Sequence, residues 1–588
     1  MRQFFLRLFA AIGGLVVALV LLAALVGVIV QAAKARVPSR VLLEVSFESG
    51  LLEQVPDDPI ARVVMRDRPT LRGTVEALEK ASRDPRVAGL VATLGAAPLG
   101  SAKIQELRDA VKAFRAGKKT AVAFAETFGE FGPGNGAYYL ATAFDEIWLQ
   151  PSGDVGLTGL IAENPFLRGT FEKLGVTPRL DHRYEYKNAM NVYTERGFTP
   201  AHREATAKIV GSIFGQMLKG IAEGRKLTTD EVRSLFDRGP YLAPGALAAK
   251  LVDGLAYRDE VYEKAKKQAG EGAKLLLLGE YAKRAGGLHV KGKTIALIYG
   301  VGAVQRGTSE YDPLGDAATM GSDTVTEAFR AAVADEDVKA ILFRVDSPGG
   351  SYVASDAIWR ETVRAKKSGK PVIVSMGNLA GSGGYFVSMA ADKIVAQPGT
   401  ITGSIGVLGG KMLTSGFWDK VGLSWDDVHT SANATYWTGT HDYSPAEWAR
   451  FQAWLDRVYQ DFTRKVADGR KLPIEKVLEV AKGRIWSGED AKALGLVDEL
   501  GGLPTALRLA RQAAGIPEKE DVRLQVYPRP KEPLELLLRG GRESSEPVAV
   551  QAFLRAMEAL RPAVRRLRAL GLLDAPGALT TPPLEIQP

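Results

Sequence analysis

The sequence predicts an α/β protein in which one domain occurs twice in tandem behind an N-terminal transmembrane helix. Apolar runs of strand length alternate with helix-period segments, the pattern of a βα fold. Residues 134–160 (GNGAYYLATAFDEIWLQPSGDVGLTGL) align without a gap to 381–407, and Gly134, Gly136, Tyr138, Ala143, Asp145, Ile147, Gln150, Pro151, Gly156 and Gly159 each meet an identical residue. Gly224-Arg-Lys-Leu227 returns as Gly469-Arg-Lys-Leu472, and Leu251-Val-Asp253 as Leu496-Val-Asp498. Solenoid units run to about 20–50 residues, so copies this long are whole domains. Residues 8–33 carry no charge and are long enough to cross a bilayer.

Taken in order, residues 1–40 are the membrane anchor. Their apolar run exceeds the roughly 7–15 residues of a signal-peptide core, which favours a retained helix over cleavage near Ala33-Lys-Ala35. Residues 41–285 form the first repeat, with strands at 41–47, 87–94 and 120–124, helices at 74–81 and 104–114, and a long helix at 200–223. The Lys- and Gly-rich stretch 265–293 reads as the link to the second repeat, 286–515. Within it, Gly287 to Thr294 matches the phosphate-loop pattern GxxxxGK[ST]. It precedes an apolar strand, 295–299, instead of opening a helix, so ATP binding is not expected. The second repeat continues with a strand at 340–345, the turn Asp346-Ser-Pro-Gly-Gly350, a helix at 353–367 and a strand at 372–376. The repeat pattern ends at Gly515, leaving 516–588 as a C-terminal extension. There Arg561, Arg565, Arg566 and Arg568 recur at helical spacing, as on a solvated helix face.

Chemistry gathers in residues 381–410. Ser382 has glycine on both sides and stands at the start of an expected helix, 385–391, where unpaired amides favour developing negative charge. A second glycine-rich turn carries Ser404. In the first copy Asn135 replaces Ser382, and Gly95-Ala-Ala-Pro-Leu99 replaces the Asp346 turn, so only the second copy has a nucleophile. Ser347 and Ser351 are rivals, but Ser347 precedes a proline in a turn and reads as structural.

A serine hydroxyl needs a base, and none of the five histidines (His182, His202, His289, His429, His441) stands in a triad motif. Lys187, in Tyr184-Glu-Tyr-Lys-Asn-Ala-Met-Asn-Val192, is flanked by aromatic and apolar residues, and its counterpart near Ala432 to Ala434 contains no lysine. The first half thus has a lysine without the serine, and the second a serine without the lysine. One composite site explains both losses. To act as a base, Lys187 must lose its proton well below the usual lysine value of about 10.4, and burial against apolar groups has that effect.

With these residues assembled, the chain resembles the signal peptide peptidase A family in its long, duplicated form, membrane-bound Ser/Lys proteases of the ClpP/crotonase superfamily. The resemblance spans roughly residues 45–535 and is carried by RVDSPGGSYVAS (344–355), the serine segment, TGSIGVLG (402–409) and YKNAM (186–190). It implies a ClpP/crotonase-like fold for each repeat, Ser382 as nucleophile, Lys187 as general base and Ser404 as the hydroxyl that orients the lysine. It also implies an oxyanion hole from the amides of Gly383 and of Gly349 or Gly350, with no cofactor and no metal. Asn188 stands where the family often has Ser or Ala, and no proline follows before Pro200. The implied substrates are released signal peptides and other short apolar segments. The implied setting is the outer side of the cytoplasmic membrane, with membrane lipid around the N-terminal helix and a homotetramer enclosing a chamber.

Composition narrows the alternatives. Without cysteine there are neither disulfides nor thiolate metal sites, and a net charge of +8 over 588 residues, with no basic run interleaved with aromatics, gives no support for nucleic-acid binding. A catalytically silent crotonase-like scaffold that binds membrane-protein fragments is the rival function. A coenzyme A enzyme of the same superfamily is disfavoured by the anchor.

Overall fold

The computed structural model describes residues 36–529 except 57–64, 66–67, 96–98, 131 and 313–316, together with the backbone of 579–580 and 586–587. The expected anchor and the arginine-bearing stretch 552–570 lie outside the described residues. Among the described residues no helix is long and apolar enough to cross a membrane.

The first half supplies strands β1 (Val41–Ser46), β2 (Val87–Thr93), β3 (Thr120–Ala125) and β4 (Glu146–Leu149). A detached strand follows, β5 (Thr177–His182), and then β6 (Gly254–Leu255) and β7 (Lys274–Leu277). They form a parallel sheet in the order β7-β1-β2-β3-β4-β6. Such sheets are covered on both faces, which is why β2 and β3 are apolar along nearly their whole length. Helices α1 (Leu71–Arg83), α2 (Ser101–Ala116), α3 (Asn135–Ala141) and α4 (Pro200–Arg225) belong to this half.

The second half repeats the path. Its strands include β8 (Lys293–Val301), β9 (Val338–Ser347), β10 (Gly349–Gly350), β11 (Val372–Gly381), β12 (Lys393–Ala396), β13 (Ile401–Gly403), β14 (Leu408–Leu413), β15 (Ile485–Ser487), β16 (Glu499–Leu500) and β17 (Val522–Tyr527). The parallel order β17-β8-β9-β11-β12-β16 matches the first sheet strand for strand. Its helices include α5 (Tyr352–Lys367), α6 (Gly383–Ser388) and α7 (Pro445–Arg470).

Side chains that recur in the sequence make the same bonds twice. Tyr138 donates its hydroxyl to Leu251 O at 2.7 Å, and Tyr385 donates to Leu496 O at 3.0 Å. Asp253 accepts from Ile147 N as Asp498 accepts from Ile394 N, both at 2.8 Å. Helices α4 and α7 each begin with a hydroxyl cap followed by proline and end on a left-handed lysine, Lys226 or Lys471.

Three expectations change. Residues 265–293 are not a bare link: the chain completes a helix to Ala269, adds β7 to the edge of the first sheet and forms the helix Leu278–Ala285. The repeat pattern also continues past Gly515, because β17 occupies on β8 the place that β7 occupies on β1. The helix after Ser382 runs over Gly383–Ser388 instead of 385–391.

Elements outside the common path join the halves. Strand β14 pairs antiparallel with β5, from Leu408 opposite His182 to Leu413 opposite Thr177. Near the C-terminus, β18 (Leu579–Thr580) lies antiparallel to β10, and β19 (Ile586–Gln587) lies antiparallel to Ile161–Ala162. The recurrent tyrosines are testable. Tyr138→Phe and Tyr385→Phe each leave a buried carbonyl without its donor and should cost about 1–3 kcal/mol in denaturant unfolding. Unchanged unfolding midpoints would contradict this.

Candidate active site

Strand β11 carries the chain to Ser382, whose amide donates to Gly403 O at 2.8 Å on neighbouring β13. Ser382 adopts φ 53° and ψ −112°, a conformation rare for any residue with a side chain. The next residue opens α6, so the serine stands just before the first turn. A side chain at Gly383 would come within 3.0 Å of Gly350 N and 2.7 Å of Ser355 Oγ, so this backbone must lie directly against the glycine turn.

That turn leaves β9 through Ser347 and Pro348 into Gly349 and Gly350, at φ 96° and 154°. Gly349 N donates to Ser347 Oγ at 3.2 Å, and Ser351 Oγ caps α5 by accepting from Ala354 N at 3.3 Å. The two rival serines thus hold backbone. Ser351 N donates to Val304 O at 2.8 Å, so the preceding amide, that of Gly350, points to the opposite side of the strand, where β18 lies. Of the two glycines, Gly350 has its N close to Gly383, 3.0 Å from where a side chain on Gly383 would stand.

Lys187 reaches Ser382 from the first half. The β5–β14 pairing extends through Arg183 N, which donates to Val407 O at 2.9 Å, and through Tyr186 N, which donates to Lys482 O at 3.2 Å. The lysine stem then fits a slot between two glycines. A side chain at Gly483 would lie 2.5 Å from Lys187 Cβ, and one at Gly406 would lie 3.2 Å from its Cδ. Gly406 falls within the TGSIGVLG stretch, whereas Gly483 is not distinguishable in the sequence from an ordinary turn glycine.

At the end of the slot, Lys187 Nζ lies 2.8 Å from Ser382 Oγ, 3.0 Å from Ser404 O and 3.0 Å from Ser404 Oγ. All three residues are fully buried. Burial alone drives the lysine pKa well below its usual value, with no carboxylate among the described residues beside Nζ to hold the proton. A neutral amine fits these contacts: two N–H bonds reach the two Ser404 oxygens, and the lone pair accepts from the Ser382 hydroxyl. Beside it, Asn188 is buried with its Oδ1 unpartnered among the described residues.

His182 pairs its backbone with Leu408, and the base-type group within hydrogen-bond reach of Ser382 Oγ is Lys187. In the first half, Asn135 accepts from Thr158 N at 2.9 Å and Gly159 N at 3.2 Å, and donates to Gly159 O at 2.9 Å. The position equivalent to Ser382 is closed by its own turn.

Comparison with known proteins agrees with the duplicated fold. The model of Peptidase family S49 matches twice, over residues 113–271 and 364–517. The chain is 32% identical over 475 residues to "Serine protease SPPA, chloroplastic" of Arabidopsis thaliana, covering 79% of this chain and 69% of the relative. It is also 32% identical over 496 residues to "Protease 4" of Salmonella typhi, covering 82% and 78%. A shorter relative, "Putative signal peptide peptidase SppA" of Enterococcus faecium, is 36% identical over 167 residues, 28% of this chain and 48% of its own. Matches in both halves, together with relatives aligned along most of the chain, make this protein a member of the S49 family of serine peptidases, with the family domain present twice.

Proposed function

We propose that this peptidase is a membrane-anchored serine endopeptidase in which Ser382 is the nucleophile and Lys187 its general base. The observation that carries the proposal is the 2.8 Å approach of Lys187 Nζ to Ser382 Oγ, made between halves that each lack the other's group. The neutral amine takes the hydroxyl proton as Oγ bonds to the peptide carbonyl carbon, and the carbonyl electrons move onto oxygen. The amides of Gly383 and Gly350 receive that oxyanion, while Gly349 shapes the turn through Ser347. Lys187 returns the proton to the leaving amine and then activates the water that splits the acyl-enzyme. Ser404 holds the amine in line.

An extended peptide suits this site, since the β10 edge already takes β18 as an antiparallel neighbour. Released signal peptides and other short apolar segments are the substrate class, in keeping with the family resemblance and with the name of the Enterococcus faecium relative. The uncharged run 8–33 anchors the chain to the cytoplasmic membrane through its lipid, with both ClpP/crotonase-like repeats on the outer side. The family resemblance adds a homotetramer around a chamber.

Ser382→Ala and Lys187→Ala should each lower peptide hydrolysis by at least about 1000-fold in chains that remain folded. Undiminished cleavage by either variant would refute the dyad, and peptide binding without cleavage by the parent chain would instead make it a scaffold.

The depressed lysine pKa sets the sign of the pH response. Protonating Nζ removes the base, so kcat/KM should rise with pH through an ionisation well below 10.5 and then level off. A limb at the ordinary lysine position would contradict the assignment. The unfolded chain binds a proton that native Lys187 does not, so between the folded and unfolded lysine pKa values stability rises with pH. Lys187→Met should therefore be inactive yet melt higher at neutral pH, by roughly 2–4 °C per kcal/mol recovered. That advantage should shrink as the pH approaches about 10. A variant melting lower at every pH would show that the amine is not buried neutral.

A further inference from the structure

Strands β9 and β11, which carry the glycine turn and the serine, pair in register at Val345 opposite Met376 and again at Ser347 opposite Ala380. Between these points Asp346 alone faces Gly377, Asn378 and Leu379. A mismatch of this kind strands backbone amides that the ladder would otherwise satisfy. Asp346 repairs one of them, its Oδ1 accepting from Leu379 N at 3.0 Å. The bulge immediately precedes both reacting elements: Gly350 lies just beyond Asp346, and Ser382 just beyond Leu379.

The first repeat grips this bulge with the start of α2. Lys103 N donates to Asn378 Oδ1 at 3.1 Å, and Asn378 Nδ2 donates to Leu99 O at 2.9 Å. Lys103 Nζ lies 3.7 Å from Asp346 Oδ2 and 3.6 Å from Glu53 Oε1. On the same face of β9, Arg344 forks onto Glu53 with both contacts at 3.1 Å and reaches Glu106 at 3.1 Å. Glu53, Lys103 and Glu106 come from the first repeat, Arg344 and Asp346 from the second. Without Lys103, three carboxylates would face one guanidinium in a buried space. Asp346 would then have to take a proton or swing outward, and either change weakens its hold on Leu379 N.

We propose that Lys103, Asp346 and Asn378 form a positioning clamp through which the first repeat fixes the spacing between the glycine turn and the serine of the second. The clamp rests on the Ser382/Lys187 reading of the site. It gives the first half a second role, in that Lys187 supplies the base while Lys103 aligns the groups that the base acts with. These three are positioning residues, since none of them touches Ser382 Oγ.

The test compares Lys103→Met, Lys103→Arg, Asn378→Ala and the double variant Lys103→Met/Asp346→Asn in the full chain. Lys103→Met should lower kcat for peptide hydrolysis about 10- to 100-fold while leaving KM within about twofold, the signature of misalignment without lost binding. Phosphonylation of Ser382 by a fluorophosphonate should slow in proportion. Lys103→Arg should restore most of the rate, and adding Asp346→Asn to Lys103→Met should recover part of it by removing the unpaired carboxylate. If Lys103→Met fails to fold, as judged by its melting temperature, Asn378→Ala decides by the same kcat and labelling readouts. Folded variants with the parent kcat and labelling rate, or a loss confined to KM, would overturn the clamp. Activity retained by Ser382→Ala or Lys187→Ala would instead overturn the site reading.

Discussion

A lysine amine buried against two serines is the constraint around which this structure is arranged. In water the amine would be charged at neutral pH, and desolvation works against that charge, driving its pKa well below the usual lysine value. An unprotonated amine has two hydrogens and a lone pair, and the two Ser404 oxygens and the Ser382 hydroxyl stand where they would satisfy all three. Such an arrangement tolerates little slack, since a water-filled gap beside Nζ would restore the charge. The glycine slot formed by Gly406 and Gly483 packs directly on the stem, and the β5–β14 pairing brings the lysine segment to it. On the proposed reading, the stability lost by burying an unprotonated amine is what gives the chain a base at neutral pH.

Duplication makes the proposed division of roles possible. Both halves retain the strand path and the paired tyrosine and aspartate bonds that hold it together, so neither fold depends on the chemistry. Where the copies differ, they differ in complementary ways, Asn135 standing opposite Ser382 and no lysine standing opposite Lys187. Asn135 seals the first copy's turn with its own amide, while in the second copy β14 pairs antiparallel with β5 of the first. The second copy thereby builds the surface on which the first copy's lysine segment lands.

The serine segment, the Asp346 turn and the pairing of Lys187 with Ser382 were readable from the sequence because the two copies could be compared position by position. Ser382 against Asn135 and Lys187 against the lysine-free stretch near Ala432 are differences that periodicity alone would not isolate. Other features were hidden for physical reasons. Strand β7 lies in a Lys- and Gly-rich stretch whose composition resembles a linker, and its apolar Lys274–Leu277 run becomes recognisable only when β1 pairs with it. Strand β17 escaped in the same way, since an edge strand has one neighbour and a weak pattern. The proposed choice of Gly350 over Gly349 rests on which way each amide points, a property of strand direction and not of residue type. The charged side chains at the junction of the halves are scattered across distant segments, so only the folded chain brings Lys103 to Asp346.

The central claim is that one amine from the first half activates one alcohol from the second. Its most direct measurement is covalent labelling by a fluorophosphonate at neutral pH, with the modified residue mapped by mass spectrometry in the parent chain and in Lys187→Met. A single adduct on Ser382 is expected in the parent, with a labelling rate at least about 100-fold lower when the amine is removed. Labelling at Ser347 or Ser351, or an equal rate with and without the amine, would contradict it.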